Sequence, residues 1–169
     1  MKDNVKKTWK SKILFVSLRI LTLNNKINMA KELNSEFDIQ ARAQKHFEES
    51  VAKKVENHQA LNDKELEYLC PVAFKSTMTQ NEISKLGLSK HYSFVPTMNV
   101  VNDLRDLGYE VVDAKQVKAR KKSTNGYQKH MITFEHPKYK VEGREEYPQI
   151  LLTNSHDGGN AFTLSAGIF

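Results

Sequence analysis

The sequence predicts an α+β fold in which N-terminal helices precede a mainly antiparallel sheet packed on one helix. Three observations predict it. Apolar residues recur at helical spacing as far as Leu107, two Asn/Thr-x-x-Glu capping signals punctuate that half, and after Gly108 the spacing changes to partial alternation broken by Gly- and Asn-rich turns.

From Ser35 to about Gln59, Ala43, Phe47, Val51 and Val55 stand four residues apart among charges, a helix with a narrow apolar seam that packs against the domain or a second copy. Asn62 with Glu65, flanked by Leu61 and Leu66, predicts a second helix start, and Thr79 with Glu82, flanked by Met78 and Ile83, a third. Both helices are expected to be short: Pro71 blocks continuation of one, and Gly87 suits the left-handed end of the other. Tyr92–Pro96 reads as extended chain. Thr97 is expected to open the following helix, which carries Val100, Val101, Leu104 and Leu107 on one face and closes at Gly108.

Strands are expected at Tyr109–Arg120 and Tyr127–His136, joined by a turn at residues 121–126 into a hairpin. A loop from Pro137 to Tyr147 leads to a strand at residues 149–153, and a turn from Asn154 to Asn160 to a last strand at residues 161–169. The domain reading is one α+β domain over residues 29–169, after an extension of residues 1–28 whose composition differs. The apolar finish, Ala166-Gly167-Ile168-Phe169, suggests a domain incomplete at its C-terminus.

The basic stretch before Ile13–Leu23 resembles the start of a secretory signal, but Arg19 interrupts the apolar run and no small-residue cleavage site follows. The run is also too short for a bilayer that needs ~20 residues. The chain is therefore expected to be cytoplasmic, with residues 1–28 read as a membrane-surface helix or a partner-binding tag. Lys and Arg outnumber Asp and Glu by 26 to 20, a net charge of +6 that favours anionic partners. Cys70, the only cysteine, excludes an internal disulfide framework and a thiolate-rich zinc site. P-loop, dinucleotide-glycine and Gly-x-Ser-x-Gly signatures do not occur, and no cofactor is expected.

Two segments could carry chemistry. Lys115, Lys118, Arg120, Lys121, Lys122, Lys129 and His130 cluster on the hairpin, with Tyr127 as a ring for base stacking, which suits sequence-tolerant binding of single-stranded DNA. The bland alternative is an edge that lysines protect from aggregation. His156 and Asp157, in a turn dense in polar residues and glycine, could do acid–base work, although Asp157-Gly158 is also an ordinary turn signal. A metal site from His130, His136, His156 and Asp157 lacks any helical His-x-x-x-His spacing, and none is expected. Residues 79–89 resemble the start of a helix-turn-helix, but Phe94-Val95-Pro96 delays the next helix too far.

Tyr92-Ser93-Phe94-Val95-Pro96-Thr97, Gly108-Tyr109-Glu110, Gly126-Tyr127-Gln128-Lys129-His130 and Leu151–Gly158 through Ala166–Phe169 together resemble the phage/plasmid-related protein family, a domain of unknown function. The resemblance covers residues 92–169. It implies a setting in mobile genetic elements and no established reaction, and family members continue beyond the motif that ends at Phe169. The functional expectation is an accessory protein that binds single-stranded DNA in recombination or replication. Its alternatives are an interaction module, self-associating through the open sheet edge or the N-terminal helix, and an enzyme using His156 and Asp157.

Overall fold

A computed structural model of the chain describes residues 2–89, 91–140 and 148–168. The chain divides into two compact units, residues 1–49 and 50–169. Helix α1 (Lys2–Glu56) makes up the first and lends its last turns to the second. The helix starts well before the expected Ser35 because no glycine or proline precedes Pro71 to interrupt it. No helix among the described residues is long and apolar enough to cross a membrane.

Within the second unit α1 ends in a paired-carbonyl cap: the His58 N–H donates to the Val55 carbonyl and the Gln59 N–H to that of Lys54. His58 occupies the left-handed position at φ +50°, where glycine is usual. Its Nδ1–H donates to Glu135 Oε1 at 2.5 Å. Gln149 donates to the same oxygen at 2.8 Å, and Lys140 Nζ lies 2.9 Å from the other while also donating to the His58 carbonyl. Glu135 is 1% exposed. Burial alone would raise its pKa, but His58, Lys140 and Gln149 outweigh it and hold the group below its ordinary value.

Helices α2 (Asp63–Leu69) and α3 (Gln80–Lys85) begin at the capping boxes of Asn62 with Glu65 and Thr79 with Glu82. Cys70 ends α2 and is buried, its thiol pushed up to about 11 by burial, and a 3-10 turn over Pro71–Phe74 follows. Helix α4 (Thr97–Asp106) completes the helical set. Residues 86–96 separate α3 from α4, so the two do not form a helix-turn-helix.

The sheet is an antiparallel meander in the order β1 (Glu110–Gln116), β2 (His130–Glu135), β3 (Pro148–Asn154), β4 (Thr163–Ile168). Register aligns Ala114 with Ile132, Leu152 and Leu164, and Val111 with Phe134, Ile150 and Ala166. On β1 to β3 these residues form the core with Leu61, Leu66, Cys70, Ala73, Val101 and Leu104, except that Ile150 is only partly buried and packs against it. Packing of α2 and α4 on β1 places that core beneath the helices. On β4 the same rows emerge: Leu164 is exposed, as is Ile168 at the end of the strand.

The first two strands are shorter than expected. After Gln116 the ladder gains one more bond, Val117 N–H to the Lys129 carbonyl, and then residues 117–129 form a connection that holds a 3-10 turn at Lys122–Thr124. Lys118, Arg120, Lys121 and Lys122 are exposed there, so nothing apolar drives a longer strand. Residues 141–147 of the expected loop, and Phe169 of the final motif, lie outside the described residues.

The buried Glu135 yields a stability prediction. Glu135→Gln should cost about 2–3 kcal/mol in urea denaturation at pH 7, less than a fully buried pair because His58 and Lys140 are partly exposed. A cost below about 1 kcal/mol would show that the pair is not structural.

Candidate nucleic-acid interface

Segments far apart in sequence converge around the Thr97 hydroxyl. It does not cap α4, whose N-cap is Pro96 without a side-chain bond. Instead Thr97 Oγ1 lies 2.8 Å from His130 Nε2 and accepts from Asn154 Nδ2 at 3.0 Å. The His130 Nδ1–H donates to the Gln128 carbonyl, which leaves Nε2 as the acceptor of the Thr97 proton. Asn154 also donates to the Val95 carbonyl and accepts from the Ser155 N–H. Thr97, His130, Asn154 and Ser155 are all buried.

His156 lies beside this network. Its ring is 5.1 Å from that of His130 and 4.7 Å from that of Phe94, it is fully buried, and its ring nitrogens make no hydrogen bond of good geometry among the described residues, though the Val72 backbone lies close enough to favour the charged form slightly. Burial, then the neighbouring His130, brings its pKa down to about 4, and burial lowers that of His130. The Asp157 carboxylate turns elsewhere, accepting from the Gly159 N–H at 2.9 Å. The two side chains named in the sequence for acid–base work therefore stand next to each other in the chain without bonding to each other. Gly158 fixes the turn: φ is +71°, and a Cβ there would come within 2.5 Å of Leu88 Cδ2.

The same turn supports the basic connection. The His156 N–H donates to the Tyr127 carbonyl at 2.9 Å, and the Tyr127 hydroxyl donates to Glu82 Oε1 at 2.5 Å. Lys75 Nζ bonds that same carboxylate oxygen at 2.8 Å and stands 4.6 Å above the Tyr127 ring. Lys75 first, then Tyr127 and Thr79, hold Glu82 well below the usual carboxylate range. Tyr127 is thus a buttress for the connection, with its hydroxyl bonded and one ring face under an ammonium group.

Pinned in this way, residues 117–129 meet the turn across a groove of about 430 Å³, lined by Lys118, Arg120, Lys121 and Lys129 on one side and Asp157 and Gly159 on the other. Lys122 borders an adjoining hollow with Lys118 and Arg120. Lys118, Arg120, Lys121, Lys122 and Lys129 are exposed, and none forms an ion pair with a carboxylate among the described residues. Lys115 differs, since it is paired with Asp113 at 2.6 Å. His130 differs too, being 1% exposed and bonded inward. The groove between the two sequence candidates was not legible, because no local pattern reports which loop meets which turn. Among the described residues no group of His, Cys, Asp and Glu could hold a metal ion.

The buried imidazole makes stability depend on pH. The folded pKa of His156 lies below the ordinary value near 6.5, so the unfolded chain takes up a proton first. The contribution is complete above pH ~6.5 and is lost as pH falls toward 4, about 3 kcal/mol across that window. In urea melts from pH 7 to 4.5, His156→Leu should be near neutral at pH 7 and lose less stability on acidification than the unaltered chain. An unchanged pH dependence would refute the assignment.

Comparison with known proteins bears on the same residues. The family model described as Domain of unknown function (DUF932) matches residues 87–169. Two proteins of Escherichia coli (strain K12), UPF0380 protein YafZ and UPF0380 protein YfjQ, are each 29% identical to the chain over 84 residues. That stretch is 48% of this chain and 29% of either relative, so the chain spans less than a third of the length of these relatives. No solved structure matches. Residues 87–169, which hold the Thr97 network, the basic connection and the turn it meets, are thus similar to the DUF932 family of domains of unknown function.

Proposed function

We propose that this protein binds nucleic acid, with single-stranded DNA as the substrate, through the groove between residues 117–129 and the turn 154–160. One observation carries the reading: Lys118, Arg120, Lys121 and Lys129 converge on one groove, exposed and without carboxylate partners among the described residues. Four cations to one carboxylate, Asp157, on the opposite wall leave the groove net positive, which suits neutralisation of successive phosphates. As an accessory of phage or plasmid DNA, the protein would act on strands exposed during recombination or replication. His130 supports the fold of this surface from within and does not join it.

Binding of a fluorescent oligonucleotide across a salt series tests this reading. Affinity should fall steeply with salt, and Lys118→Ala, Arg120→Ala, Lys129→Ala combined should flatten the log–log slope by about 2, at roughly 0.7 per lost phosphate contact. No binding at low salt, or an unchanged slope in the variant, would overturn it.

A second reading, self-association, has its own observation. Strand β4 is almost wholly exposed, carries no charge and no proline from Thr163 to Ile168, and shows Leu164 and Ile168 at 49% and 70% exposure. Such an edge lacks the usual protection against pairing with another chain. Sedimentation velocity from micromolar to hundreds of micromolar should reveal reversible association that Leu164→Lys abolishes; a monomer throughout would remove this reading.

A further inference from the structure

The basic groove offers phosphate contacts without a place for bases. Tyr127, the ring that sequence alone nominates for stacking, donates its hydroxyl to Glu82 and lies beneath Lys75 Nζ. None of the described residues that line the groove is aromatic; its walls are lysine, arginine and short polar or aliphatic groups. Base-specific recognition needs paired donors and acceptors on fixed side chains. The groove's amide, Gln128, is committed, with Oε1 accepting from the Gly126 N–H and Nε2 donating to Asn125. Asp157 already accepts from the Gly159 N–H, and its charge opposes a phosphate on that wall. A strand lying in the groove is therefore drawn toward Lys118, Arg120, Lys121 and Lys129 by its phosphates and kept from the opposite wall.

We infer that this protein grips the sugar–phosphate backbone alone and leaves the bases turned outward, so that its ligand is a phosphodiester chain of any sequence. The inference rests on the nucleic-acid reading and deepens it by assigning which part of the ligand is held. It follows from one juxtaposition: four cations without carboxylate partners among the described residues line a groove with no aromatic residue in its described lining, while the Tyr127 ring is engaged on Glu82 and Lys75. A strand held in this way keeps its pairing edges available to a complementary strand.

The experiment compares a fluorescent oligothymidylate with an oligonucleotide of equal length whose sites are all abasic, both titrated with the whole chain at low salt. A stacked base is worth roughly fivefold to more than a hundredfold in affinity, so loss of stacking would be conspicuous. The expected result is that the two affinities agree within about threefold. Binding of oligothymidylate with a loss of tenfold or more on the abasic strand would overturn the backbone-only grip while leaving nucleic-acid binding intact. Binding of neither strand would overturn both.

Discussion

The hydroxyl of Thr97 is the constraint on which the rest of the sheet region depends. It sits at the first turn of α4 and is shared by His130 of β2 and Asn154 of β3, so that one oxygen ties a helix to two strands. Each partner is itself satisfied further on, His130 by the Gln128 carbonyl and Asn154 by the Val95 carbonyl and the Ser155 N–H. Buried polar networks are stabilising when every member is paired and costly when one is not. This one is closed, and it fixes how the last residue of β3 enters the following turn.

From that point the site follows mechanically. Asn154 sets Ser155, whose hydroxyl donates to the Asn160 carbonyl and accepts the Asn160 N–H, and the turn closes on itself. His156 then presents its backbone N–H to Tyr127 and so holds the end of the basic connection next to β2. Its side chain does something different, filling a slot against Phe94 and His130 as a neutral ring. A polar residue used for its shape costs little while it stays uncharged, and acid is the condition that exposes the cost.

Much of the helical half was legible. Asn62 with Glu65 and Thr79 with Glu82 mark their helix starts by chemistry that acts over three residues, and both boxes form. Gly108 ends α4 for an equally local reason, with φ at +90°. The strands were legible in number and order but not in length, because lysine-rich segments such as 117–122 carry no apolar alternation that says where pairing stops. Thr97 opens α4 as its sequence predicts, but only the register that brings His130 and Asn154 together reveals the use of its hydroxyl. The bond between His58 and Glu135 joins residues far apart in the chain and breaks the preference for glycine at a left-handed position, so neither residue announces it.

The anchoring of residues 117–129 has a kinetic meaning. The segment is held at its entrance by Val117 on Lys129, near its exit by Tyr127 on His156, and from outside by Glu82. The entropy of ordering a connection of this length is therefore spent during folding, and a ligand arriving there has no loop to wait for. Encounter with the proposed ligand would then depend on how far the field of the lysines and Arg120 reaches, which at 0.15 M ionic strength is about 8 Å. On the proposed reading, dilute salt would let the same surface collect an anionic strand from a larger volume, raising the rate of capture while leaving the rate of escape to the contacts made in the groove.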